Sequence, residues 1–273
     1  MCPSDKNLYD RPVLIAPGVY WVGYQDTIYN MHSNPYLVVE GDEAVLIDGG
    51  SRPDFPVVMT KVLQTGLRIE QIRAIILHHY DPDLCGSLPN ILDLLGKKSV
   101  QVLSAEANHM FIAYYLAKEH HPLLTPTEAY PEGYDLNGRT LRFYPTPYAH
   151  APGSFITYDT RTKTLFTSDL FGSLSRKWDL YAELAPECEQ CPDYEHCPNG
   201  RDYCPLPDIL DFHRQVMPTA RAVRMAMETI RGLDVEILAP QHGSVFARRS
   251  DIDFLCRMLA GMDRMGIDER AGG

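Results

Sequence analysis

Residues 77–87 read LHHYDPDLCGS, and they follow the apolar residues Ala74-Ile75-Ile76. Two histidines and two aspartates fall within the six positions 78–83. A short apolar run of this kind reads as a buried strand, which puts His79, Asp81 and Asp83 on the loop at its end. Strand-end loops are where a rigid scaffold presents reactive groups, so the reading of this stretch governs the rest.

The arrangement recurs along the chain. His150 follows the strand-like RFYPTP (142–147), Asp169 follows TLFTS (164–168), and His242 comes shortly after VEILAP (235–240). Singly, each residue is ordinary, an aspartate in a turn or a histidine that packs and hydrogen-bonds. Together, three imidazoles and three carboxylates at successive strand ends form a mixed nitrogen and oxygen donor set. Such a set can serve two metal ions if one carboxylate bridges, and it suits iron, manganese or zinc.

The surrounding pattern is α/β. GVYWVG, PYLVVEG and EAVLIDGG read as strands, with a Gly41-Asp42 turn between the last two. Helical patterns follow in DFPVVMTKVLQTG, in SLPNILDLLG after Gly86, and in ANHMFIAYYLAKEHH, with the strand SVQVL between the second and third. The second half gives TLRFYPTP and the hairpin GSFITYD/KTLFTSD. A long irregular segment then runs from about Phe171 to Pro207, followed by a helix from about Asp208 to Arg231, the strand VEILAP and a last helix from Asp251. LIDGGS ends the second strand of one hairpin and FTSDLFGS that of the other, so each half delivers an aspartate and a glycine at the same point. We read this as a duplicated unit forming a two-sheet sandwich with helices outside, an αββα arrangement. The expected organisation is a single domain over 1–273 with a cysteine-rich insertion at about 172–207.

Composition narrows the partners. The net charge of −11, from 36 acidic and 25 basic residues, argues against a nucleic-acid or anionic-membrane surface. No run of eighteen apolar residues is present, and MCPSDKNLYDRP lacks the layout of a secretory signal. The expectation is a soluble, cytoplasmic protein.

His79-Tyr80-Asp81-Pro82-Asp83 with Leu84-Cys85-Gly86-Ser87 resembles the metallo-β-lactamase superfamily signature H-x-H-x-D-H, and more closely the H-x-E-x-D-H-S-G-S variant of its flavodiiron and oxygen-binding diiron branch. His150 in AHAPGS, Asp169 in SDLFGS and His242 in PQHGSV are similar to that family's third histidine, bridging aspartate and last histidine. The resemblance runs from GVYWVG to the final helix. It implies one iron bound by His79, Asp81 and His150, a second by Asp83 and His242, and Asp169 between them. Two departures stand out. Asp81 is one methylene shorter than the usual glutamate, and Leu84 stands where the family usually has a histidine, which leaves the second metal one protein ligand fewer and a more open coordination.

The resemblance also places Asp48, at the end of LIDGG, where the superfamily often has a carboxylate that orients a ligand loop, with a solvated strand-end aspartate as the alternative. His78 should point away from His79 by strand alternation and is read as structural. Tyr148 and His32 are candidates to line the gas-binding pocket, with plain packing as the alternative for both.

Cys188, Cys191, Cys197 and Cys204 have the spacing C-x2-C-x5-C-x6-C, and the last three are each followed by proline. In a reducing compartment four such thiols point to metal rather than disulfides. Tetrahedral zinc and an iron-sulfur cluster both fit, and the Cys-Pro pairs beside an iron-type site favour a 4Fe-4S cluster. FMN is not expected in this chain, which ends at RMGIDERAGG without a phosphate-binding loop.

The leading functional expectation is a non-haem diiron protein that binds dioxygen or nitric oxide as an oxygen or redox sensor, with an additional cysteine-ligated iron-sulfur cluster. The alternative is an O2/NO reductase fed by the cysteine-bound cluster or an external redox protein, and the third is a zinc metallohydrolase. A signalling partner and a homodimer are compatible with the resemblance.

Overall fold

A computed structural model describes residues 9–25, 28, 30–96, 100–175, 177–191 and 204–267. The chain divides into two compact units. The first comprises Met1–Asp26 with His32–Phe143, and the second Thr27–Met31 with Tyr144–Gly273.

The first unit is built on a seven-stranded sheet in the order β1 (Val13–Ala16), β2 (Val19–Trp21), β3 (Tyr36–Glu40), β4 (Glu43–Ile47), β5 (Ile72–Ile76), β6 (Gln101–Ser104) and β7 (Leu124–Pro126). The first four strands pair antiparallel, and from β4 onward each pairs parallel with the next. The changeover follows from the connections. A two-residue turn joins β3 to β4, whereas α1 (Phe55–Gln64), α3 (Leu88–Leu95) and α4 (Glu106–Ala113) carry the chain back before β5, β6 and β7. β4 and β5 read EAVLI and IRAII because strands covered on both faces need apolar residues at nearly every position. Val45, Leu46, Ile47, Ile75 and Ile76 are all fully buried. The unit's last element is a hairpin of β8 (Tyr134–Leu136) and β9 (Arg139–Pro145), of which residues up to Phe143 belong to this unit. Its turn is Asn137-Gly138, both with positive φ, as the tightest hairpin turns require.

In the second unit β10 (Phe155–Asp159) pairs antiparallel with β11 (Thr164–Phe166), which pairs parallel with β12 (Ile237–Ala239). This repeats the sequence β3, β4, β5 of the first unit, an antiparallel hairpin followed by a parallel strand, as the duplicated LIDGGS and FTSDLFGS ends suggested. Three helices complete the unit: α5 (Pro205–Val216), α6 (Ala220–Arg231) and α7 (Arg249–Ala260). Val223, Met227, Leu238, Leu255 and Leu259 are fully buried at its centre.

Several expectations are corrected. The single helix expected from about Asp208 to Arg231 is two helices, because Pro218 lacks an N–H and drives Met217 to an extended conformation at ψ 132°. Thr219 then starts α6 by accepting the Ala222 N–H with its hydroxyl. The helix expected over ANHMFIAYYLAKEHH stops at Ala113, and a separate 3-10 segment, Lys118–Leu123, follows. β1, β7 and β8 were not expected. No helix among the described residues is long and apolar enough to cross a membrane.

Candidate metal centre

In the first unit the ligand loop leaves β5 and turns at once into a one-turn helix, α2 (Pro82–Cys85). Proline at the first helical position suits this start, since its missing N–H would have no helical partner there. Asp81 occupies the preceding cap position without a side-chain cap bond, and Asp83 lies in the first turn. The ligand atoms of His79, Asp81 and Asp83 all lie within 4.8 Å of one another, His79 being buried and the two aspartates partly exposed. His79 Nε2 is 3.7 Å from Asp81 Oδ2.

This loop is gripped by the one that follows β4. Gly49 N–H donates to the Leu84 carbonyl at 3.0 Å, Ser87 N–H to the Gly50 carbonyl at 3.2 Å, and Ser87 Oγ to the Gly49 carbonyl at 2.6 Å. The fit is close enough that a Cβ on Gly86 would lie 2.8 Å from the Arg52 nitrogen and 2.4 Å from the Pro82 carbonyl oxygen, so only glycine serves. Asp48 stands at φ 54° and holds His78 by both its backbone N–H and its ring. The sequence readings of His78 as structural and of Asp48 as a support for the loop describe these contacts. Tyr115 adds a third restraint by donating its hydroxyl to the Tyr80 carbonyl at 3.0 Å, while Phe111 packs on the Tyr80 ring at 4.4 Å. Burial first, then the charges of Cys85, Asp81 and Asp83, push the Tyr115 phenol up to about 12, so it stays a donor. Burial likewise raises the Cys85 thiol well above its ordinary value, and its Sγ faces the His79 carbonyl at 3.5 Å.

In the second unit Asp169 lies between two imidazoles. His150 Nε2 is 2.9 Å from Asp169 Oδ2, and His242 Nε2 is 3.7 Å from Asp169 Oδ1. Each carboxylate oxygen therefore faces a different ring. The loops are tied to their neighbours: Gln241 N–H donates to the Ser168 carbonyl at 2.9 Å, Trp178 Nε1 to the Gly243 carbonyl at 2.8 Å, and Ser244 Oγ to the Asp179 carbonyl at 2.6 Å. Gly243 stands at φ 83°, and a Cβ there would meet Ser173 Oγ at 2.4 Å.

Among the described residues seven non-glycine positions have positive φ, and four of these lie at or beside these loops: Asp48, Tyr148, Ser168 and Phe171. Such conformations disfavour L side chains and persist only where the surroundings enforce them, a pattern that gathers at functional sites.

Other sequence candidates fall as follows. His32 is buried in the first unit, and Tyr148 in the second is 55% exposed. Leu84 is fully buried and belongs to the apolar core of the first unit, among residues such as Val58 and Leu88. Cys188 is buried, Cys191 and Cys204 are partly exposed, and Cys197 lies outside the described residues. Two residues that the sequence did not single out, Phe212 and His213 on α5, contact the Asp169 and His242 loops. Their signal was faint, an aromatic pair within an apolar helix, because the partners lie far away in sequence.

The donor sets are imidazole nitrogen and carboxylate oxygen, which fit iron, manganese or zinc. A model of the family described as ODP family beta lactamase matches residues 31–243. The type A flavoprotein fprA of Rhodobacter capsulatus is 28% identical over 250 residues, covering 86% of this chain and 52% of that protein. The chain spans about half the length of the curated Rhodobacter capsulatus relatives it matches. Among solved structures, a peroxy diiron species of chemotaxis sensor ODP superposes with a TM-score of 0.72 at 22% identity, covering 96% of this chain and 98% of that one. The rubredoxin oxygen:oxidoreductase from the anaerobe Desulfovibrio gigas superposes with a TM-score of 0.74 at 18% identity, covering 92% and 61%. The fold is the metallo-β-lactamase-type α/β fold expected from the sequence.

Proposed function

The chain belongs to the ODP family of beta-lactamase-fold proteins, and from that premise we propose that it is a non-haem diiron protein that binds dioxygen or nitric oxide as an oxygen or redox sensor. The observation that carries the reading is the Asp169 carboxylate, which turns one oxygen toward His150 and the other toward His242, as a bridging ligand would. In this assignment His79, Asp81 and His150 would hold one iron and Asp83 and His242 the other, with Asp169 shared; ferrous iron held there would supply the redox chemistry that a diatomic gas requires. The chain's own residues fix the donors: Asp48 holds His78 beside His79, and Tyr115 holds the carbonyl between His79 and Asp81.

The family match supports the sensing reading, since the model that covers residues 31–243 is that of the ODP family and a chemotaxis sensor ODP shares the fold. The second reading, an O2/NO reductase, draws on the cysteines. In it Cys188, Cys191, Cys197 and Cys204 hold a 4Fe-4S cluster that feeds the irons, with zinc as the alternative occupant.

Metal and sulfide analysis of anaerobically purified protein tests these assignments. A diiron pair with a cluster gives more iron than sulfide, and a diiron pair with zinc at the cysteines gives iron, zinc and no sulfide. Zinc alone overturns the diiron reading. Replacing Cys191 and Cys197 by serine abolishes sulfide and leaves the remaining iron bound. Admitting air to the reduced protein separates the two functions: a lasting change in absorption without sustained oxygen uptake marks the sensor, and continuous uptake with a reductant marks the reductase.

A further inference from the structure

Helix α5 begins at Pro205, directly after Cys204, and its Phe212-His213 pair reaches the loops of both Asp169 and His242. The His213 ring is fully buried. Its Nδ1 lies 2.7 Å from the Ile209 carbonyl, which can only accept, and its Nε2 lies 3.1 Å from the Phe171 backbone N–H, which can only donate. Only the neutral tautomer with the proton on Nδ1 satisfies both contacts. The Phe171 amide held in this way sits two residues after Asp169, at φ 66°.

Phe212 works from the adjacent position. Its ring centroid is 5.9 Å from that of His242 at an interplanar angle of 56°. Its edge also fills the space beside Gly172, where a Cβ would lie 2.7 Å from Phe212 Cε1. The Gly172 N–H in turn donates to the Asp169 carbonyl at 3.0 Å. The loop after Asp169 is therefore held through a hydrogen bond from one α5 residue and through packing by the next, which also touches the His242 ring. A purely apolar side chain at position 213 would fill the core without burying an imidazole, so the histidine is explained by the amide it accepts.

We propose that Phe212 and His213 are positioning residues through which α5 sets the Asp169 carboxylate and the His242 imidazole for metal binding. The inference rests on the reading that Asp169 and His242 are metal ligands, and it adds a helix that no ligand motif includes.

The test uses Mn(II), which needs no exclusion of air, titrated into the metal-free full chain of the parent, His213→Leu, His213→Gln and Phe212→Leu, alongside thermal unfolding of each metal-free protein. Glutamine keeps an acceptor at similar reach and leucine does not. The expected result is a loss of Mn(II) affinity of about 10- to 100-fold in His213→Leu, the range for partners that orient ligands, with recovery of most of it in His213→Gln. A purely structural role lowers the unfolding temperature of the metal-free protein but leaves Mn(II) affinity unchanged, and that outcome overturns the proposal. Should His213→Leu fail to fold, Phe212→Leu decides, since parental affinity there also overturns it. A parent that binds no Mn(II), Fe(II) or Zn(II) refutes the metal reading itself, and the inference with it, whereas parental affinity in every variant refutes the inference alone.

Discussion

His78 Nδ1 lies 2.8 Å from Asp48 Oδ2, and Asp48 Oδ1 accepts the His78 backbone N–H at 3.1 Å. The residues are 30 positions apart, and both are buried. One carboxylate thus fixes the ring and the backbone of the residue that immediately precedes His79, and a two-point hold leaves the ligand loop little freedom to rotate.

Replacing Asp48 by alanine removes a partner from a buried ring nitrogen and from a buried N–H together. We expect a loss of about 1–3 kcal/mol in urea unfolding of the metal-free protein, and metal affinity weaker by about 10-fold. Asparagine, which retains an oxygen for the His78 N–H, should fall between the two. Parental metal affinity in Asp48→Ala would show that the pair supports the fold alone.

Asp169→Ala removes a carboxylate that faces both His150 and His242. Iron retained per chain should fall more sharply than the about 10- to 100-fold affinity loss typical of an outer partner. Elemental analysis after gel filtration reads this directly, and unchanged iron content would remove Asp169 from the ligand set.

Leu84 tests the departure at the ligand motif. Because it is fully buried in an apolar cluster, Leu84→His should destabilise the metal-free protein by about 2–4 kcal/mol. If the new ring reaches the metal, saturating Mn(II) raises the unfolding temperature more in the variant than in the parent. An equal rise in both would mean that position 84 serves the core and offers no ligand position.

Burial pulls the His213 pKa down to about 4, against contributions from the Ile209 carbonyl and Asp169 that raise it. In the unfolded chain the ring takes up its proton near pH 6.5. The stability of the neutral buried ring is therefore fully present above pH 6.5, falls as the pH drops from 6.5 toward 4, and is wholly lost below about 4. At pH 5 the loss from this residue is about 2 kcal/mol relative to pH 7. Urea unfolding of the metal-free protein at both pH values should show a smaller pH dependence in His213→Gln than in the parent. The same dependence in both would place the ring outside the buried, neutral state.

Much of this molecule is legible in its sequence for a local reason. β3, β4, β5, β10, β11 and β12 are short apolar runs bounded by turn residues, and the candidate ligands sit just beyond β5, β9, β11 and β12, so strand pattern and ligand position are read together. β8 was within reach as well, since Asn137-Gly138 between DL and RTL is a hairpin signal. The break between α5 and α6 is marked by Pro218 but hidden by helical periodicity on both sides. The roles of Phe212 and His213 could not be read, because they depend on a backbone amide 42 residues earlier that comes into reach only in the folded chain. Leu84 is the converse case: its place in the motif was evident, while its place in the apolar core needed coordinates.

The left-handed residues Asp48, Tyr148, Ser168 and Phe171 have a consequence of their own. A left-handed conformation costs a non-glycine residue about 1–2 kcal/mol, and here that cost is concentrated on the loops that carry or neighbour the proposed ligands. A backbone trace stripped of every side chain would therefore already mark these loops among its strained positions, beside turn residues such as Asn137 and Lys163. Geometry and donor identity are to that extent separable properties of this chain: glycine at Tyr148, Ser168 or Phe171 would relax the trace without altering a single proposed ligand.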